Sequence, residues 1–379
     1  MHILIAVLHR PTQPTGVCRH AANLARCLAD LPEVTQVTLV TGAWQRFYFE
    51  TAFALSSPKI QIIEVAIQNR SSTRNFWFLF GLPKLVKQLS PDIVHLAFPL
   101  PFWRSRFPCP VVATIHDLYP YECPENFGRI QAIFNRLFLH QCIAQSDGLT
   151  CVSQKTLKQL KFFFPKACTY KIVAVTYNSI DFSDIVPQSP EIFKNRENIS
   201  FLLSVAQHRK NKNLHLLIQS FANLLKNQKL EESTELILVG SSGPETENLQ
   251  QQIVSLQLQT QIHLLDSISD EELCWLYQHC SLYVVASSTE GFCLPLAEAL
   301  SLGCKVVCSD IPVLREVAVN DCIYFSLKGD LFKNLEWAIL EVIHKHFKHP
   351  SNQESDQDFR FSRATIATQY FNFYSQVME

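Results

Sequence analysis

Short apolar runs rich in β-branched residues alternate with helical stretches along almost the whole of this 379-residue chain. That alternation leaves few folds open. Candidate buried strands occupy 2–8, 37–41, 60–65, 93–97, 111–115, 148–152 and 171–176. A second series follows at 200–206, 235–239, 261–264, 282–286 and 305–308, and amphipathic stretches such as 17–29 and 212–225 fill the gaps. Apolar strands separated by helices predict parallel sheets covered on both faces, an α/β fold. The polar stretch "DFSDIVPQSPEIFKNRENIS" interrupts the pattern between two complete βα series and marks a domain boundary. The reading is an N-terminal domain at 1–183, a C-terminal domain at 184–360, and a closing helix within 361–379 that packs back on the first domain.

Size and chemistry agree with two domains. A chain 47% hydrophobic at this length exceeds one ordinary core. Its 13 cysteines contain no CxxC pair, which points to reduced thiols and a cytoplasmic setting. The opening "MHILIAVLHRP" is too short in its apolar part for a signal sequence and reads as a first strand. No apolar run approaches the roughly 18 residues of a membrane span. A net charge of −1 argues against nucleic acid as partner. The charge is unevenly placed: residues 1–181 hold 18 Lys+Arg against 10 Asp+Glu, and residues 182–379 hold 15 against 24. The two halves therefore have different tasks.

Ligands of open α/β sheets bind beyond the carboxyl ends of strands, and the unusual residues cluster there. Gly16 opens a helix after the first strand. His116 and Asp117 follow "VVATI", Arg209 and Lys212 follow "ISFLLSVAQ", Gly240 follows "ELILV", and Glu290 and Gly291 follow "LYVVASS". Plain structural readings exist for several: a turn glycine, a helix cap, a solvated basic loop. Glu298 resists such a reading. In "TEGFCLPLAEALSLG" its neighbours Leu294, Leu296, Ala297, Ala299 and Leu300 make a helix apolar nearly all round, so its carboxylate needs a partner. Pro295 suits the first turn of that helix and Gly303 its end. The backbone N–H groups of Gly291, Phe292, Cys293 and Leu294 precede the helix and suit an anion. With Arg209 and Lys212 nearby, that anion is expected to be a diphosphate.

These residues resemble glycosyltransferase family 4. "EGFCLPLAE" has the family's E-x7-E form. "PTGVCRHAANLARCL" resembles its N-terminal glycine loop, "VVATIHDLYPYECPENFG" its strand followed by His-Asp, and "SVAQHRKNKNLHLLIQSFA" the phosphate-binding start of its second domain. "CVSQKTLKQL", "YNSID", "LDSISDEELCWLYQHCSLYVVASSTEGF" and "FSRATIATQYFNFY" continue the match in order over nearly the whole chain. The resemblance implies a GT-B fold, two Rossmann-like domains with parallel sheets facing a central cleft. It also implies a retaining transfer of sugar from a nucleotide-sugar donor to a glycan or lipid-linked acceptor. Carried over, Glu298 binds the ribose hydroxyls and Glu290 lies near the donor sugar. His116 contacts that sugar from the other domain, and Gly16 lets its loop approach the donor phosphates. The chain departs from the family in two places. A single Gly16 follows Thr15 where Gly-Gly is common, and Ala206-Gln207 stand where Gly-Arg is common. Arg209 is expected to supply the missing cation.

The expected mechanism needs neither metal nor cofactor. Arg209, Lys212 and the helix N-terminus stabilise charge growing on the leaving diphosphate, and the acceptor hydroxyl passes its proton to that phosphate. The Asp356-Gln357-Asp358 sequence sits in a polar linker, and His344, His346 and His349 end a helix, so neither reads as a metal site. Two rivals share the architecture, a sugar-nucleotide epimerase and a non-catalytic sugar-nucleotide sensor. GxGxxG and GxSxG are both absent from the sequence, which disfavours a dinucleotide oxidoreductase and a serine hydrolase. Two basic-aromatic stretches suggest peripheral contact with the inner membrane face. One sets Lys155, Lys158, Lys161 and Lys166 around Phe162, Phe163 and Phe164, and the other sets Trp77 and Phe78 near Lys84 and Lys87.

Overall fold

A computed structural model describes every residue except 54, 125–127, 195, 197–198, 267 and 345–359. The chain forms two compact units, Met1–Asp181 with Asp356–Glu379, and Phe182–Ser355.

The first unit is built on seven parallel strands: β1 (His2–Ala6), β2 (Gln36–Gly42), β3 (Ile60–Val65), β4 (Ile93–Leu96), β5 (Val111–Ile115), β6 (Gly148–Cys151) and β7 (Ile172–Val175), in the order β3-β2-β1-β4-β5-β6-β7. Successive residues of a strand face opposite sides, and β1 shows the result. Ile3 and Ile5 join a core with Ala21, Ala25 and Leu28 of the first helix and Ile366, Tyr370 and Phe373 of the last. Leu4 and Ala6 join the opposite core with Leu82, Val86, Leu139 and Ile143. Each large apolar side chain buried this way contributes roughly 1.5–3 kcal/mol.

The last helix, Arg363–Met378, starts on a Ser362 cap and packs along the first, Gly16–Ala29. Polar bonds fasten it as well. Tyr374 Oη lies 2.6 Å from His95 Nδ1 on β4, and His95 Nε2 lies 2.8 Å from Thr114 Oγ1 on β5. Arg363 and Arg26 both pair with Asp181, at 3.2 and 3.3 Å.

The second unit has six parallel strands: β8 (Phe201–Val205), β9 (Glu235–Val239), β10 (Ile262–Leu265), β11 (Leu282–Val285), β12 (Val306–Ser309) and β13 (Ile323–Phe325), in the order β10-β9-β8-β11-β12-β13. Observed strand limits differ from the sequence reading by a residue or two, a normal fraying of ends. β13 lies outside that reading, because three residues are too few to show a period of two. Both sheets reverse direction of winding at their first strand, between β1 and β4 and between β8 and β11. The rule for such sheets puts ligands beyond the carboxyl ends of those two strands.

All 13 cysteines are free thiols. Among the described residues, no helix is long and apolar enough to cross a membrane.

Candidate active site

At the switch point of the second unit, the chain leaving β8 meets the chain leaving β11. Residues Lys210–Lys212 form a 3-10 turn, and Asn213 follows in the left-handed region at φ 51° before the helix Leu214–Lys226. Asparagine tolerates that conformation better than most residues. Asparagine side chains stitch the turn to the β11 loop. Asn213 Nδ2 donates to Ala286 O at 2.9 Å and Asn211 Nδ2 to Thr289 O at 3.2 Å, while Ser288 N–H donates to Asn211 O at 2.8 Å. The stitching delivers Lys212 to Glu290: Nζ lies 2.5 Å from Oε1. Ser287 Oγ donates to the same carboxylate oxygen at 2.7 Å. Glu290 is 6% exposed, so its charge is compensated by a partner rather than by water.

Glu290 precedes the helix Leu294–Ser301, whose cap is Cys293 and whose second residue is Pro295. Gly303 stops the chain just past this helix in the left-handed region, at φ 77°. Cys293 also adopts a left-handed conformation, at φ 73°, which is uncommon for a residue bearing a Cβ. Phe292 and Cys293 are buried, as is Gly291, while Leu294 is half-buried. Inside the helix, Glu298 is 4% exposed and accepts a hydrogen bond from Tyr277 Oη at 3.0 Å. Burial and the Glu298 charge push the Tyr277 hydroxyl well above its ordinary range, so it stays protonated and donates. Glu298 is therefore held by a neighbour the sequence did not disclose, a tyrosine on the preceding helix, Asp270–His279.

Other residues expected here have separate surroundings. Gly240 ends β9. A Cβ there would lie 2.1 Å from Ala206 O, so only glycine lets the ends of β8 and β9 approach. Arg209 is half-buried and its guanidinium bonds no other described residue, whereas Lys212 holds Glu290. In the same loop His208 is 3% exposed, with Nδ1 2.9 Å from Thr246 Oγ1 and Nε2 buried without a hydrogen-bond partner among the described residues. An orphaned buried nitrogen beyond a strand end at the switch point is informative, and the sequence reading had not singled out this histidine.

Gly16 and His116 belong to the first unit. Gly16 is the exposed first residue of its helix, capped by Thr15, whose side chain accepts from Cys18 N–H. His116 follows β5; its Nε2 donates to Ala97 O at 2.8 Å, which leaves Nδ1 as an acceptor. Burial pushes its pKa down to about 4, so the ring is neutral near pH 7. It lines a cavity of about 350 Å³ at this unit's switch point, together with Leu8, His9 and Arg10 after β1 and Phe98 to Pro101 after β4.

His344 ends the helix Leu331–His344. His346, His349 and the Asp356–Asp358 pair lie outside the described residues. Among the described residues, no three His, Cys, Asp or Glu side chains gather in a way that could hold a metal ion.

Residues 186–356 match the family described as Glycosyl transferases group 1, and residues 14–184 match Glycosyltransferase Family 4. The chain is 31% identical to the O-antigen chain mannosyltransferase RfbU of Salmonella typhimurium, over 82% of this chain and 82% of that one. It is 28% identical to O-antigen chain mannosyltransferase B of Escherichia coli, over 80% and 81%. Among solved structures, Anabaena Alr3699/HepE in complex with UDP and glucose superposes with a TM-score of 0.70 at 18% identity, covering 99% of this chain and 100% of that one. Sucrose-phosphate synthase from Thermosynechococcus elongatus superposes at 0.76 and 17% identity, covering 99% and 98%. These likenesses identify the architecture as GT-B.

Proposed function

Because this chain belongs to the group 1 glycosyl transferases, with an N-terminal half of glycosyltransferase family 4, we propose that it moves mannose from a nucleotide-mannose donor to a hydroxyl of an O-antigen-type glycan. That it is a glycosyltransferase follows from the membership, which favours transfer over the epimerase and sensor readings. The mannosyl assignment draws on O-antigen chain mannosyltransferases among its relatives. The observation that carries the site is the buried Lys212–Glu290 pair at the switch point of the second sheet.

The proposed route is metal-free. Lys212 counters negative charge growing on the leaving diphosphate, a preorganised contribution that needs no rearrangement during reaction. The second unit's Gly291 to Leu294 backbone faces the donor, and Glu298 accepts from the ribose hydroxyls. Glu290 orients the sugar hydroxyls while fixing Lys212. Arg209, whose guanidinium bonds no other described residue, reaches the donor phosphates. Neutral His116 accepts a sugar hydroxyl hydrogen bond at Nδ1, and Gly16 and Gly240 leave room for backbone approach. The acceptor oxygen attacks from the face the diphosphate leaves, so configuration is retained.

Thermal shift against GDP-mannose, UDP-glucose and ADP-glucose tests the donor. A ligand of the native state raises the melting temperature with concentration. A rise for a UDP- or ADP-sugar alone would replace mannose in this reading.

The acceptor is proposed to be lipid-linked and the first unit to meet an anionic membrane surface. Of the basic-aromatic stretches, Phe162 is 77% exposed beside exposed Lys158, Lys161 and Lys166. Phe164 and Phe78 instead pack in the core, and Phe163 packs on Tyr121. Phe76 and Phe80 take over the exposed role, stacked with centroids 4.6 Å apart. Binding to anionic vesicles that vanishes in high salt is the expected result. Absence of binding at low salt would remove the claim.

A further inference from the structure

The loop carrying Glu290 leaves β11 between β8 and β12, and side chains from both neighbours hold it. β11 and β12 are paired from Tyr283 beside Val306 to Val285 beside Cys308. Beyond that register the loop carbonyls take side-chain donors, because a buried carbonyl left without one is costly. From the β8 side, Asn213 and Asn211 donate to Ala286 O and Thr289 O. From the β12 side, Ser309, the last residue of its strand, donates through Oγ to Ser287 O at 2.5 Å. Ser287 in turn donates through its own hydroxyl to Glu290 Oε1 at 2.7 Å. Both serines are buried, Ser309 at 0% and Ser287 at 2% exposure, so bulk water does not stand in for either bond.

A hydroxyl has one proton to give, and each of these two is committed. The result is a series running from β12 to the carboxylate: Ser309 fixes the Ser287 carbonyl, and Ser287 fixes Glu290 Oε1. Lys212 reaches the same oxygen. A lysine ammonium, however, is a point charge on a flexible four-carbon stem with rotatable donors. It attracts the carboxylate without setting its direction. Ser287 is short and buried, and its hydrogen bond is directional. Charge and aim therefore reach Glu290 from different strands, β8 and β12.

We propose that Ser309 and Ser287 are positioning residues for the transfer, holding Glu290 from β12 so that its carboxylate meets the donor sugar while Lys212 meets the leaving diphosphate. The inference rests on the proposed function for what Glu290 does, and on the two hydrogen bonds for how it is held. The rival is purely structural: the hydroxyls satisfy buried acceptors, and Glu290 stays aimed without them.

The test measures the coupling between Lys212 and Glu290 by urea unfolding of the full chain, Lys212→Met, Glu290→Gln and the double variant. The set is repeated on Ser287→Ala, Ser309→Ala and Ser309→Thr backgrounds. Expressed as a factor in the unfolding equilibrium constant, the coupling should fall roughly tenfold in both alanine backgrounds, the scale of one charged hydrogen bond. Ser309→Thr keeps a hydroxyl and should retain most of it. Either alanine background carries the test alone if the other fails to fold. With Lys212 and Glu290 in place, GDP release from GDP-mannose should slow roughly tenfold or more in kcat for each alanine variant, with KM moving less than about twofold. Ser287→Ala should slow Glu290→Gln no further. A coupling that is equal with serine and with alanine overturns the inference, even where the alanine variants melt lower, because lost stability alone is what the structural rival expects. A kcat at the parental level in both alanine variants overturns it too. Glu290→Gln turning over like the parent would instead remove Glu290 from the proposed mechanism. A chain that shows the serine-dependent coupling but releases no GDP would keep the account of how Glu290 is held and lose the mannosyl reading.

Discussion

Lys212 Nζ stands 2.5 Å from Glu290 Oε1, with the two side chains only 17% and 7% exposed. A pair this enclosed has its desolvation offset by mutual attraction, so removing one partner strands the other. Lys212→Met should destabilise the fold by about 3 kcal/mol, and Lys212→Met/Glu290→Gln should be less destabilised than the single variant. Urea unfolding of the cycle measures this coupling. Turnover should fall on the order of 100-fold in Lys212→Met, more than donor affinity falls. Turnover at the unmodified level would end the leaving-group role.

Glu298→Gln should weaken nucleotide-sugar binding by roughly 1–3 kcal/mol, the value of a charged hydrogen bond. Tyr277→Phe removes the buried donor to the same carboxylate, at 3.0 Å. It should cost about 1–3 kcal/mol of stability and leave Glu298 less well aimed. If Glu298→Gln lowers the unfolding midpoint but not donor affinity, the carboxylate is a structural partner of Tyr277 and nothing more.

Acid should destabilise the first unit through its buried histidines. Burial pushes His116 down to about 4 and His95 down to about 3, both from 6.5. Between those values and 6.5 the unfolded chain binds protons that the folded chain does not. Stability therefore rises with pH across the window and is lost as pH falls through it, by up to ~1.4 kcal/mol per pH unit for each histidine. Urea midpoints at pH 7.5, 6.5 and 5.5 follow this loss, and His116→Asn should flatten the slope by one proton. A midpoint that is constant from pH 7.5 to 5.5 contradicts it.

Cys293 occupies the left-handed region at φ 73°. Glycine adopts that conformation freely, so Cys293→Gly should stay within about 1 kcal/mol of the parent despite the lost side chain. Cys293→Val adds a β-branch where φ is positive and should cost several times as much. Equal melting temperatures for the two variants would show that the backbone there relaxes.

Activity should survive a strong chelator, because Lys212 rather than a divalent ion is proposed to meet the leaving group. Complete loss in EDTA, restored by added metal, would overturn that.

The alternation of strands and helices was legible because each strand is a continuous apolar run. The E-x7-E pair was legible because a carboxylate inside an apolar helix is costly. Pairing Lys212 with Glu290 required more: they are 78 residues apart and meet only because β8 lies beside β11, a consequence of sheet order. Tyr277 was invisible as the partner of Glu298, since a tyrosine among apolar residues reads as core. Arg209 and Lys212 leave the same strand in sequence, Lys212 being the firmer match, and the 3-10 turn aims only the lysine at Glu290.

The Tyr374–His95 bond has a consequence for the order in which the protein can be made. The last helix supplies Tyr370, Phe373 and Tyr374 to the core of the first unit, so the second unit is an insertion within the first. A ribosome releases all six strands of the inserted sheet before the helix 363–378 emerges. The inserted unit can therefore finish folding while the one begun earlier still waits, with His95 and its apolar neighbours uncovered. Shortening the chain at its end would injure the unit made at its beginning.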